Sequence, residues 1–118
     1  MEYNMLKELF FGIFQFANKI EKRMLIYLSE DKFVGNEYMY CTYDENDDDY
    51  LDKYKEGFVT LVFYEPFVKE DTIVYCKNDV FYKELIDFLQ NMDDSVDDMK
   101  ELDVYLAKIK TDLKIGLA

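Results

Sequence analysis

The stretch Gly57 to Gln90, GFVTLVFYEPFVKEDTIVYCKNDVFYKELIDFLQ, constrains the fold of this chain more than any other part. Phe58, Thr60, Val62 and Tyr64 alternate with Val59, Leu61 and Phe63, and nearly all of them are β-branched or aromatic. A strand built this way is apolar toward both of its faces and belongs at the centre of a sheet. Pro66, the only proline in the chain, has no N–H to give to a ladder and ends the strand. The polar turn Lys69-Glu70-Asp71 leads into a second strand, Thr72 to Cys76. Asn78 or Asp79 then offers a side-chain oxygen to cap a helix whose apolar stripe is Val80, Phe81, Leu85, Ile86 and Leu89.

Other segments must pack around this frame. From Met5 to Leu28, Leu6, Phe10, Ile13, Ala17, Ile20, Met24 and Tyr27 recur at steps of four and three, the seam of an amphipathic helix. Phe11, Phe14, Phe16 and Leu25 lie off that seam, so the helix is either covered on two sides or broken near Gly12. The surplus phenylalanines serve core burial or, on a sharper reading, an exposed patch for a partner. Ser29 to Asn36 reads as a polar connector, and Glu37 to Tyr43 as a strand flanking the central one. A last helix starts at about Asp97, with Met99, Leu102, Leu106, Ile109 and Leu113 on one face and Gly116 as a stop. Its acids sit at the start and Lys108, Lys110 and Lys114 toward the end, the order that the helix dipole favours.

At 118 residues, with no repeats and no Pro/Gly-rich linker, the chain reads as one domain over residues 1–118. The expected class is α+β: an N-terminal helix, a small, mainly antiparallel sheet of about three strands, and two C-terminal helices packed on it. Half of the residues are hydrophobic, which separates the chain from disordered acidic tails that cannot bury enough apolar surface to order themselves. Cys41 and Cys76 both lie in apolar, strand-like company and read as buried free thiols, with a single disulfide as the alternative. The N-terminus lacks a basic region before its apolar run, and that run is too short to span a bilayer. A cytoplasmic location without membrane contact is expected.

Charge narrows the functions. Asp and Glu number 26 against 14 Lys and Arg, a formal net charge of −12. Such a field repels nucleic-acid phosphates and attracts cations or a basic protein surface. The chain has no histidine, so Ser/His/Asp and Cys/His nucleophile systems are excluded. Its four glycines form no P-loop or dinucleotide fingerprint, and neither Ser29 nor Ser95 stands in a G-x-S-x-G elbow. A non-enzymatic protein with no cofactor is expected.

The most polarised feature is DENDDDYLDKYKE, Asp44 to Glu56, with six acids between Asp44 and Asp52. As a calcium loop, Asp44, Asn46, Asp48 and Asp52 would take the first, third, fifth and ninth positions. Asp49 then stands where the sharp turn requires glycine, and Lys55 where a bidentate glutamate should close the site. No metal ligand set is assigned. A protein partner fits better: Asp44, Glu45, Asp47, Asp48, Asp49 and Asp52 would steer a basic surface, and Tyr50 and Tyr54 offer semi-rigid anchors. Asp93, Asp94, Asp97 and Asp98 form a second candidate patch.

The strand GFVTLVF at Gly57 to Phe63, the run DTIVYCKNDVFYKELIDFL at Asp71 to Leu89 and the acidic segment before them together resemble one family. It is the immunity proteins of bacterial contact-dependent growth inhibition and related polymorphic toxin systems, particularly the class paired with ribonuclease toxins. A glycine-led strand, a Val/Ile-cored strand and an x-x-F-Y-x-x-L helix start, here Val80-Phe81-Tyr82-Lys83-Glu84-Leu85, occur in that order. The matching positions read as scaffold, so no inhibitory residue is carried over from them. The resemblance implies a stoichiometric inhibitor of a cognate toxin domain with a basic surface, a nuclease. The alternative is an acidic adaptor, Ca²⁺-responsive or not, with no toxin partner. Oligomeric state is left open by the sequence.

Overall fold

The computed structural model describes residues 2–16, 19–45, 55–65, 68–91 and 96–115. The chain runs as helix α1 (Glu2–Phe14), strands β1 (Gln15–Phe16) and β2 (Lys19–Ile20), helix α2 (Lys22–Asp31), strands β3 (Phe33–Gly35), β4 (Met39–Thr42), β5 (Phe58–Phe63) and β6 (Thr72–Lys77), and helices α3 (Asn78–Asn91) and α4 (Val96–Asp112). Strands β3, β4, β5 and β6 form one sheet in that order, every neighbour antiparallel. The class is α+β, with helical structure at the N-terminus and two helices at the C-terminal side of the sheet.

Strand β5 is central, as its two-faced apolar pattern requires. Val59, Leu61 and Phe63 point to the face shared with Met39, Cys41 and Cys76 and join the helix side chains in one core. On the other face Thr60 and Val62 are also buried, beside Tyr40 and Thr42. The core is closed by Phe10 and Phe14 of α1, Leu25 and Leu28 of α2, Phe81, Leu85 and Leu89 of α3, and Leu102, Leu106 and Ile109 of α4.

Two features depart from the expected pattern. The sheet has four strands, because β3 forms inside the stretch that reads as a polar connector. Three residues are too few to show a periodicity, yet Val34 is buried and Gly35 pairs with Tyr40. The strand is launched by Lys32, which ends α2 in the left-handed region at φ 58° and donates its N–H to the Leu28 carbonyl. The N-terminal helical stretch is also split. After Phe14 the chain folds into the β1–β2 hairpin, pairing Gln15 with Ile20 and Phe16 with Lys19, and Glu21 N–H returns to the Phe14 carbonyl at 2.7 Å. The helical phase therefore restarts: α2 buries Leu25, Leu28 and Ser29, while Tyr27 of the expected seam is 47% exposed.

The break falls after Gly12 rather than at it. Gly12 stays inside α1, where a Cβ would come within 2.8 Å of Met39 Sδ, so its small size sets how closely the helix approaches β4. Asn36 Nδ2 fixes the same approach by donating to the Gly12 carbonyl at 3.1 Å. On the other side, Lys108 of α4 donates to the Ser29 carbonyl at 2.7 Å and reaches Asp112 at 3.0 Å, tying α4 to the C-terminal turn of α2. Among the described residues no helix is long and apolar enough to cross a membrane.

Cys41 and Cys76 are buried free thiols. They lie on β4 and β6, on either side of β5. Two strand spacings amount to about 10 Å, beyond the roughly 7 Å between Cα atoms that a disulfide tolerates.

The phenylalanines of α1 divide by burial. Phe10 is 1% exposed and meets the rings of Phe14, Phe81 and Phe88, whereas Phe11 is 55% exposed and meets Phe88 edge-on. Phe10→Ala is therefore expected to cost about 3–5 kcal/mol in urea unfolding, and Phe11→Ala about 1 kcal/mol or less. Equal losses at the two positions would contradict this packing.

Candidate functional site

The acid-rich segment leaves the sheet after β4 and re-enters at β5, and both ends are fixed by hydrogen bonds. On the departing side, Tyr43 N–H and Thr42 Oγ1 both donate to the Lys32 carbonyl at 3.0 Å. Thr42 Oγ1 accepts the Asp44 N–H at 3.2 Å, and Tyr43 Oη donates to the Leu28 carbonyl at 2.8 Å. The left-handed turn at Lys32 makes this possible by aiming its carbonyl at the end of β4. On the returning side, Phe58 N–H closes a turn onto the Lys55 carbonyl, with Gly57 at φ 88°, a conformation that side-chain-bearing residues rarely adopt. The Lys55 ammonium lies 4.5 Å over the Phe58 ring and 5.2 Å from that of Tyr75, a cation–π contact that holds this end against the sheet.

The C-terminal end of α4 sits between the two ends. Asn78 N–H donates to the Gly57 carbonyl and Asn78 Nδ2 to the Leu113 carbonyl, at 3.0 and 3.1 Å, so one residue joins β5, α3 and the end of α4. Its Oδ1 is buried without a hydrogen-bond partner among the described residues. In the first turn of α3, Asp79 Oδ1 accepts the N–H of the adjacent Val80 at 2.9 Å. Two hollows flank the α4 terminus and share Asp112 and Lys114. One, of about 490 Å³, lies between Glu56, Phe58, Lys77, Asn78 and Ile115. The other, of about 260 Å³, is bounded by Lys32, Tyr43, Glu45 and Thr111.

The charge lining these hollows is mixed, with Lys32, Lys77 and Lys114 set among Glu45, Glu56, Asp79 and Asp112. Of the carboxylates expected to meet a partner, Asp44 is half-buried at the anchor and Glu45 is exposed beside it. Asp47, Asp48, Asp49, Tyr50, Asp52 and Tyr54 lie outside the described residues, as do Asp93 and Asp94. Asp97 and Asp98 belong to the first turn of α4. That turn and Asp112 stand at opposite ends of the helix, about 22 Å apart at 1.5 Å per residue. Asp97 and Asp98 are thus separated from the root of the first acidic patch by the length of α4. Among the described residues, His, Cys, Asp and Glu nowhere gather in a group of three that could hold a metal ion.

Sequence reasoning did not single out Lys32, Asn78, Asp112 or Lys114 as parts of this region. Asn78 was visible as a possible cap, but its role as a junction depends on the end of α4 arriving beside it. Lys32 carries no signal, since an exposed-looking lysine before a strand does not announce a left-handed turn. No protein-family model, curated protein or solved structure matches the chain.

The anchor has a pH signature. Burial holds the Tyr43 phenol well above its ordinary value of 10.0, and the charges of Asp112 and Cys41 push the same way. Burial, with Cys76 adding, likewise raises the Cys41 thiol above 9.0. In both cases the unfolded chain gives up its proton first. Stability is therefore intact below 9.0 and falls as pH climbs past 9.0 and 10.0 toward the raised folded values. Tyr43→Phe should flatten the loss of melting temperature above 10.0. At neutral pH it should cost only about 1 kcal/mol, because the Leu28 carbonyl keeps the Lys32 N–H as a donor. An alkaline limb unchanged by the substitution would show that Tyr43 does not titrate as a buried group.

Proposed function

We propose that this chain is an immunity protein that binds a cognate toxin domain, a basic nuclease, and occludes its active site or substrate groove. The observation that carries the reading is the acid-rich segment 44–56 bounded by two fixed anchors, in a chain of net charge −12. A nuclease must attract phosphates, so its working surface is basic, and a dense run of carboxylates competes for that surface. Anchoring both ends of the run lowers the ordering cost that a partner has to overcome. The segments that resemble immunity proteins supply β5, β6 and α3; β5 and the Phe81, Leu85 and Leu89 stripe of α3 are occupied in the core, while in β6 only Cys76 is fully buried. This supports recognition by the acidic residues beside the scaffold rather than by the scaffold.

Co-expression with the C-terminal fragments of the proteins encoded beside this chain's gene tests the reading through growth rescue and co-purification. Replacing Asp47, Asp48, Asp49 and Asp52 together by Lys is expected to slow association on the order of ten- to a thousand-fold and to weaken its salt dependence. Reversing Asp97 and Asp98 separately reports on the far end of α4. If the fourfold variant protects cells and binds as fast as the parent, the acidic segment is not the recognition surface.

A further inference from the structure

Among the described residues the sheet has one long open edge. Strand β3, at one side, is only three residues long and leads straight out of the α2 terminus. Strand β6, at the other, runs six residues with unbroken one-to-one register against β5, and among the described residues nothing pairs with its outer side. Native sheets blunt such an edge with a lysine, a proline, a bulge or a very short strand. In β6 the only such device is Lys77, at its last position; Thr72-Ile73-Val74-Tyr75-Cys76 runs without a lysine, a proline or a bulge. Ile73 is 37% exposed there.

The direction of the outward groups can be read from one bond. Asn78 N–H donates to the Gly57 carbonyl, so strand alternation turns the main-chain groups of Cys76, Val74 and Thr72 toward β5. Those of Lys77, Tyr75, Ile73 and, just before the strand, Asp71 then point out of the sheet. An antiparallel copy of the same strand, related by a two-fold axis at Val74, meets these groups in phase. Ile73 falls opposite Tyr75 of the second copy, and Asp71 opposite Lys77. Each is an outward-facing residue matched to an outward-facing residue, as a hydrogen-bonded pair requires. The Ile73 and Tyr75 side chains share one sheet face and make β-branched–aromatic pairs across the junction.

The charges select this register. Asp71 and Lys77 are both exposed, and centring on Val74 pairs them with opposite sign twice. Moving the axis to Ile73 brings Lys77 toward Lys69 of the second copy, in the bend before its β6, and moving it to Tyr75 carries Asp71 past Lys77 to Asp79, which already belongs to α3. Neither alternative pairs Asp71 with Lys77. We propose that β6 pairs with β6 of a second copy of this chain, antiparallel about Val74, joining two four-stranded sheets into one continuous sheet. The pairing is isologous and closes on itself, so it yields a dimer rather than a fibre. Because the strands run in opposite directions, the two Lys77 ends lie about 20 Å apart. The proposal does not rest on the identity of the partner that the acidic segments bind.

Sedimentation equilibrium of the full chain from about 1 µM to about 1 mM should show a concentration-dependent mass rising toward twice 14.2 kDa. Ile73→Pro removes an outward N–H without touching the β5–β6 ladder, and should abolish the dimer while leaving the circular dichroism spectrum unchanged. Lys77→Glu and Asp71→Lys should each raise the dimer dissociation constant at least about tenfold, because each variant sets like charges opposite one another. An equimolar mixture of the two should restore dimers, since the first strand then offers two acids to the two lysines of the second. Asp71 also accepts the Glu65 N–H at 2.9 Å, so the fold of Asp71→Lys is checked by its spectrum before mixing. A chain that stays at monomer mass across the range would overturn the proposal. So would a folded Ile73→Pro variant that still dimerises, or a mixture that fails to associate where the parent does.

Discussion

Strand β5 is paired along both edges and buried on both faces, and the remaining elements are arranged by the need to keep it so. Buried main-chain N–H and C=O groups must find partners, and for a strand with no water on either side those partners can only be flanking strands. β4 and β6 supply them, residue for residue from Phe58 to Phe63 on one side and from Thr60 to Phe63 on the other. The face carrying Val59, Leu61 and Phe63 then requires a hydrophobic lid, which the four helices provide through Phe10, Phe14, Leu25, Phe81, Leu85, Leu102 and Ile109.

The ends of β5 and its neighbours create the polar geometry. Where β4 stops, the Lys32 carbonyl takes hydrogen bonds from both Thr42 and Tyr43; where β5 starts, Gly57 turns the chain and passes its carbonyl to Asn78. These bonds use groups that secondary structure leaves unpaired at helix and strand ends. The carboxylates concentrated in the segment between them repel one another. Lysines 32, 77 and 114 around the roots offset part of the local negative field.

Much of the frame was legible. The alternation of Phe58 to Tyr64, the proline after it and the capped stripe from Val80 to Leu89 announce a central strand, a second strand and a helix, since each pattern is a local response to burial on a known period. The pattern from Met5 to Leu28 allowed a break near Gly12 as one of two readings, and α1 does end at Phe14, but the β1–β2 hairpin that makes the break is shorter than the window over which a helical period can be recognised. Apolar steps of three and four continued through it by coincidence. β3 was missed for the same reason of length. Of the candidate site, the sequence showed the acids but not their setting. Asp44 and Glu45 sit at one anchor, Asp97 and Asp98 lie a helix length away, and the local signals of Asn78, a cap candidate, and Lys114, a basic helix end, say nothing of the junction they share.

The sequence by itself determined the class of the fold, the central place of the Gly57–Phe63 strand, the absence of histidine chemistry and the sign of the electrostatic field. These follow from composition and from periods of two and 3.6 residues, which are properties of neighbouring positions along the chain. Only the tertiary structure decided that, among the described residues, the sheet has four strands with β6 at an unpaired edge, that Cys41 and Cys76 stand on opposite sides of β5, and that the end of α4 meets both roots of the acidic segment. Those are relations between residues tens of positions apart. They are set by which surfaces bury one another and not by any pattern that a stretch of sequence can carry.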